Sequence, residues 1–241
     1  LNSNREKLNK LGFYYPDIFM SDSYPYNHHN ISWELSGDSR FNTKFKTLDD
    51  FYDLIKKTEK NIIISSEDFQ VIDYNKQKFK KFQNEIKKSN YSIIIILYLR
   101  NQIDFFNGVY QAMLMFGVTL TKASEVWKVL NANDFFKVNQ INFWFNYYQQ
   151  IIQVKKMFEI EKQNIICLSY DQNKDNLIPS FLKILKLQDI GFDYKKFKNI
   201  NPSRSDLSIK MIEFFNLLNN SYKINPDEKK MVLEELVNNK A

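Results

Sequence analysis

The 241-residue sequence predicts a helix-rich α/β protein, three layers deep, with helices on both faces of a short central parallel sheet. Three observations predict it. The run YSIIIILYLR, residues 91–100, is apolar without alternation, as a strand covered on both faces requires. Two shorter apolar runs, residues 61–65 and 164–169, have strand length. Between such runs lie segments with apolar residues at helical spacing, and this alternation builds parallel sheets.

Taken in order, residues 1–11 read as the tail of a helix that stops at Gly12, a residue suited to the left-handed turn past a helix end. A loop rich in Tyr, Pro, Asp and Ser follows through Asn30; it holds Pro16, Pro25 and the pair His28–His29. Leu48, Phe51, Tyr52 and Ile55 mark a helix over Leu48–Lys57, with Thr47 as its N-cap. Residues 61–65 form a strand that ends in SSEDF, and residues 75–88 a charged amphipathic helix. After the central strand, a break at Asn101 precedes a helical stripe of Ile103, Phe105, Phe106, Val109 and Tyr110. Residues 142–158 read as one long aromatic helix whose spacing makes most of Phe143, Trp144, Tyr147 and Tyr148 core. A strand over 164–169 and further helices follow, the last after Pro226–Asp227. With no internal repeat, linker or low-complexity block, residues 1–241 are expected to form a single domain.

Composition narrows the function. With 44% hydrophobic and 26% charged residues the chain is an ordinary globular one, not a disordered one. The net charge of +6 favours anionic ligands. Its basic residues are scattered among acids and not gathered on one face, so a nucleic-acid partner is not expected. A single cysteine, Cys167, excludes an intramolecular disulfide and a cysteine-rich metal site; its apolar setting, IICLSY, predicts a buried thiol. No apolar segment approaches the ~20 residues that span a bilayer, and no signal peptide is visible. The chain opens on Leu1 in a helical stretch, so it reads as a fragment whose amino terminus lies upstream.

Candidate site residues follow from the strand ends, because open α/β sheets bind ligands outside the carboxyl ends of their strands. Arg100 ends the central strand, where a planar, permanently charged fork suits a phosphate or sulfate; the plainer alternative is a strand-end salt bridge. Glu67 follows the 61–65 strand, as a general base or as a helix-terminal acid. Ser65 and Ser66 can donate to an anion or act as turn and cap residues. His28 and His29 are the only histidines. Adjacent histidines with no third ligand make a poor metal site, so no metal is expected; a general base or a loop pair without a role both fit. Tyr170, after the LSY strand, lines a pocket or sits at the core edge with a solvated hydroxyl.

These segments together resemble the bacterial branch of the sulfotransferase superfamily, which uses 3′-phosphoadenosine 5′-phosphosulfate (PAPS) as donor. NREKLNKLGFYYP resembles the segment after that family's first helix, and HHNISWEL its histidine-containing loop. IIISSEDF resembles the strand ending in Ser-Glu, and YLRNQIDFFNGVYQ the 3′-phosphate-binding strand and helix. NIICLSYD resembles the later strand ending in Tyr-acid, and NPSRSDLS the carboxyl-terminal Asn/Ser segment. The resemblance covers nearly the whole chain, and order and spacing carry it.

It implies a P-loop nucleoside-triphosphate-hydrolase-like fold and transfer of a sulfuryl group to a small-molecule or glycan acceptor, without a metal. It also implies a cytoplasmic location, where the donor is made. Arg100 would hold the 3′-phosphate; Glu67 is the first choice of base, then His28 or His29. Two features depart from the family. Its Gly-, Lys- and Thr-containing phosphosulfate loop is absent, as expected if the first strand and that loop lie upstream of Leu1. Where the family has serine eight residues after the arginine, this chain has Gly108, leaving the backbone N–H, Asn107 or Asn101 to serve the phosphate. Both departures also suit a non-catalytic nucleotide- or glycan-binding domain; a P-loop phosphotransferase is a further alternative.

Overall fold

The computed structural model describes residues 1–22, 25–70, 75–115, 135–138, 141–187 and 191–192. The expected helix after Pro226–Asp227 and the NPSRSDLS segment lie outside the described residues. The chain divides into two compact units, one of Leu1–Leu99 with Phe135–Lys195, the other of Arg100–Asp134 with Lys196–Ala241. The fold is mixed α/β, helix-rich, with short parallel strands. No helix among the described residues is long and apolar enough to cross a membrane.

The first unit opens with helix α1 (Arg5–Lys10), closed by Gly12 at a φ of 82°. The two-residue strand β1 (Phe13–Tyr14) follows. Helix α2 (His29–Ser36) then corrects the expectation of a loop through Asn30: His28 is its N-cap and His29 its first residue. The start is hidden in the sequence because His28 lacks the short acceptor side chain that announces most helices; its ring is engaged elsewhere. Helix α3 (Leu48–Lys57) forms as expected. Thr47 Oγ1 accepts from the Asp50 N–H, and Asp50 Oδ2 accepts from the Thr47 N–H at 2.8 Å, a reciprocal capping box. Strand β2 (Asn61–Ile62) leads by way of a 3₁₀ turn, Glu67–Gln70, to helix α4 (Lys76–Lys88). Asn75 caps α4 through bonds from the Gln77 and Lys78 N–H groups.

Strand β3 (Ile95–Leu99) pairs in parallel with β6 (Ile165–Ser169), from Ile95↔Ile165 to Leu99↔Ser169. Strand β1 pairs in parallel with β2. The remaining pair, β4 (Phe135–Val138) and β5 (Ile141–Trp144), is antiparallel. It corrects the single helix expected over residues 142–158: Phe143 and Trp144 lie on a strand, and the helix is Tyr147–Phe158, started by Asn146 whose side chain accepts from the Gln149 N–H. FFKV and INFW around two polar residues is a hairpin pattern, and it prevails over helical spacing. Tyr148 is 69% exposed, so it is not core.

Two apolar clusters pack this unit. The larger joins Phe19 to Ile31 and Leu35 of α2, Phe51 and Ile55 of α3, Phe79 and Phe82 of α4, and Phe158. The smaller joins Leu8 of α1 and Tyr15 to Leu182 of the helix Leu177–Ile184. Ile62 and Ile64 pack on the first, Ile63 on the second, as a strand's alternation dictates. Ile93, before β3, and Ile95, in it, pack on the first cluster, while the Tyr98 hydroxyl bonds Ser180 Oγ at 2.7 Å on Leu177–Ile184.

Two burial expectations are corrected. Every residue of β3 is half-buried and Ile94 is 59% exposed, so the isoleucine run has a solvent-facing part. Among the described residues β3 pairs with β6. Cys167 is exposed, not buried: Ile165 on the same strand face packs into the larger core, and Cys167 lies two residues beyond it.

In the second unit, Arg100 and Asn101 precede helix α5 (Gln102–Met115). Asn101 Oδ1 accepts from the Ile103 N–H at 2.9 Å, the helix start that the sequence break announces.

Candidate functional site

In the first unit the segments after β1 and β2 meet the start of α2. The His28 N–H donates to the Ser65 carbonyl at 2.7 Å, and the Ser65 N–H donates back to His28 Nδ1 at 3.0 Å. Nδ1 is therefore an acceptor, so the ring proton is on Nε2, which donates to the Pro16 carbonyl at 3.0 Å. Tyr15 packs edge-on against the ring, which is fully buried. Burial drives the His28 pKa down to about 4, against smaller upward pulls from the bonds to Pro16 and Ser65. His28 ties three segments together and keeps no ring nitrogen for an incoming proton.

His29 faces a different set of groups. Its Nδ1 lies 2.9 Å from Ser66 Oγ and 3.6 Å from Asp68 Oδ2, and its Nε2 lies 3.2 Å from Asn27 Nδ2. The ring stacks on Trp33, one helical turn along α2. The Trp33 indole N–H donates to the same Asp68 oxygen, which also takes Arg40 Nη2 at 3.2 Å. Arg40 in turn lies over the Trp33 ring and bonds Asp38 with both arms of its fork. Ser66 Oγ accepts from the Asp68 N–H at 3.1 Å, closing the turn. Burial lowers the His29 pKa; Asp68 and then Glu67 pull it back up, and Arg40 opposes them.

Of the sequence candidates here, His28, His29, Ser65 and Ser66 are brought together; both serines act in the turn, Ser65 through its backbone and Ser66 through its hydroxyl. Glu67 opens the 3₁₀ turn, exposed, and makes no hydrogen bond or ion pair among the described residues. Sequence reasoning missed Asp68, Trp33, Arg40 and Asn27. Asp68 stands beside Glu67 in SSEDF, and Trp33 is four residues after His29, a same-face spacing visible only once residues 29–36 are known to be helical.

Tyr170 is half-buried, the first residue of a short helix, Tyr170–Asn173, after β6. In the second unit Arg100 is exposed and turns its guanidinium onto α5: a Cβ at Gly108 would stand 3.4 Å from Arg100 Nη1. Arginine and the position eight residues on thus share one local site. Asn107 lies beside it in sequence, exposed on the same helix. A guanidinium is a planar, permanently charged fork whose geometry matches an oxyanion. Among the described residues no group of three His, Cys, Asp or Glu side chains is placed to hold a metal. Comparison of the chain with protein-family models, curated proteins and solved structures gives no match.

Proposed function

We propose that this chain belongs to a PAPS-dependent sulfotransferase acting on a hydroxyl of a small-molecule or glycan acceptor. The observation that carries the reading is the packing of Arg100 on Gly108. The resemblance assigns the 3′-phosphate to this arginine and to the residue eight positions on, and the two are neighbours in space.

The sheet supports the same reading. Among the described residues β2 pairs with β1 and β3 with β6, and both pairs are parallel, as the fold implied by the resemblance requires. The resemblance implies a phosphosulfate loop whose backbone donors and lysine would hold the 5′-phosphosulfate. The acceptor oxygen then forms its bond to sulfur as the bond to the bridging phosphate oxygen breaks. Fixed cations and N–H donors stabilise the developing charge.

The test is calorimetric titration of 3′-phosphoadenosine 5′-phosphate into the protein expressed from its natural start codon, with the Arg100→Ala variant alongside. Micromolar binding, lost in the variant, is the expected result. A folded wild type that does not bind refutes the reading. Gly108 brings no hydroxyl to the phosphate, which favours one alternative, a binding domain without turnover; it would bind the nucleotide and transfer no sulfuryl group from PAPS to any hydroxyl acceptor.

A further inference from the structure

Arg5 of α1 carries a positive charge that meets no carboxylate among the described residues. The side chain is half-buried, and both of its hydrogen bonds leave from Nη2, to the Pro16 carbonyl at 3.0 Å and to Met20 Sδ at 3.1 Å. Nε is buried without a partner. Asp17, next to Pro16 in the chain, is exposed and makes no ion pair among the described residues. Arg40, in the same unit, shows the usual arrangement, with Nε and Nη2 both on Asp38. Guanidinium groups withdrawn from water are normally paired, and an unmet buried donor marks a place where an ion belongs.

The groups around Arg5 are uncharged at neutral pH. Its guanidinium lies 5.5 Å from the centre of the Tyr15 ring, whose hydroxyl burial pushes up to about 12 against the pull of Arg5. His28 donates to the same Pro16 carbonyl, and burial brings its pKa down to about 4. One planar fork with one charge is matched by one negative charge on a planar oxyanion. A phosphate dianion would bring a second charge into this half-buried setting with nothing to meet it.

We propose that Arg5 is the binding residue for a carboxylate-bearing ligand, a residue to which the transfer reading gives no part. The carboxylate is taken by Nη1, which makes no hydrogen bond, and by Nη2 in place of the Met20 thioether, a weak acceptor. Pro16 keeps its bond.

The test is NMR of the Arg5 Nε–H, assigned by through-bond correlation to its backbone amide, in the protein expressed from its natural start codon. Sodium acetate and sodium D-glucuronate are titrated in turn against sodium chloride at fixed ionic strength. The expected result is a saturable shift of the Arg5 Nε–H and of the Met20 methyl group, while the Arg40 Nε–H, already on Asp38, stays in place. Glucuronate held more tightly than acetate identifies an acidic sugar as the source of the carboxylate; equal hold identifies a small free acid. Arg5→Lys keeps the charge, loses the fork and weakens acetate binding by about tenfold, the loss of one charge-assisted bond. The wild-type titration needs no variant, so a misfolded Arg5→Lys protein does not remove the test. An Arg5 signal that neither carboxylate moves overturns the proposal, as does one that inorganic phosphate moves at lower concentration than acetate. No step uses nucleotide, so failure here leaves the Arg100 reading standing, and failure of that reading leaves this one.

Discussion

Acid destabilises this protein through His28 in a window set by its burial. The folded ring takes a proton at about pH 4, whereas an unfolded histidine takes one near 6.5. Between these values the unfolded state binds more protons, so stability falls as pH falls, beginning below 6.5 and levelling off below 4. The gap of about 2.5 pH units, at about 1.4 kcal/mol each and corrected for half-titration at its lower end, gives a loss of about 3 kcal/mol between pH 7 and pH 4. The ring is fully buried, so solvent screening takes little from this figure. Carboxylates elsewhere titrate across the same range, and a second protein cancels them. Urea unfolding at a series of pH values is measured for the wild type and for His28→Gln, whose amide retains a donor for the Pro16 carbonyl. The difference between the two stabilities shrinks by about 3 kcal/mol from pH 7 to pH 4. If the two curves keep a constant separation, His28 is not held as a buried neutral ring and the tying of its loop to Ser65 is wrong.

Three further outcomes are open to simple measurement. Thr47→Ala removes half of the α3 capping box and lowers stability by about 1 kcal/mol in urea unfolding; an unchanged midpoint would show the cap to be idle. Gly108→Ala sits inside α5 with only the flexible end of Arg100 at 3.4 Å, so it strengthens the helix by about 0.5–1 kcal/mol and slows amide exchange along α5. Faster exchange would mean that Arg100 cannot yield. Cys167 is exposed, so a maleimide labels it completely without denaturant, and faster as pH rises, because partial burial still pushes the thiol's pKa up; labelling that waits for urea would return it to the core.

Much of the fold was legible because its signals are local. Thr47 three residues before Asp50, Asn75 before an amphipathic run, and Gly12 after a short helix each announce an element through neighbours in sequence. The failures share one cause. The isoleucine run implied a strand covered on both faces, but coverage depends on segments far along the chain, and Ile94 is left 59% exposed. Residues 142–158 satisfied helical spacing and also a hairpin. The choice went to the partner strand Phe135–Val138, which aromatic periodicity does not register.

The adjacent histidines show where sequence reading of a site stops. In HHN the two rings are chemically alike and one bond apart along the backbone, and either qualifies as a base. What separates them is the pair Ser65 and Ser66, each 37 residues further along the chain from the histidine that it meets. Ser65 offers its backbone and seals His28 between two main-chain groups; Ser66 offers a hydroxyl and hands His29 on to Asp68. A backbone partner fixes geometry and leaves the ring neutral and spent. At His29 burial lowers the pKa as well, and the Asp68 carboxylate opposes that lowering. The segment after β2 thus seals one histidine between main-chain groups and sets a hydroxyl and a carboxylate beside the next, and that distinction exists only once the chain has folded the two serines against them.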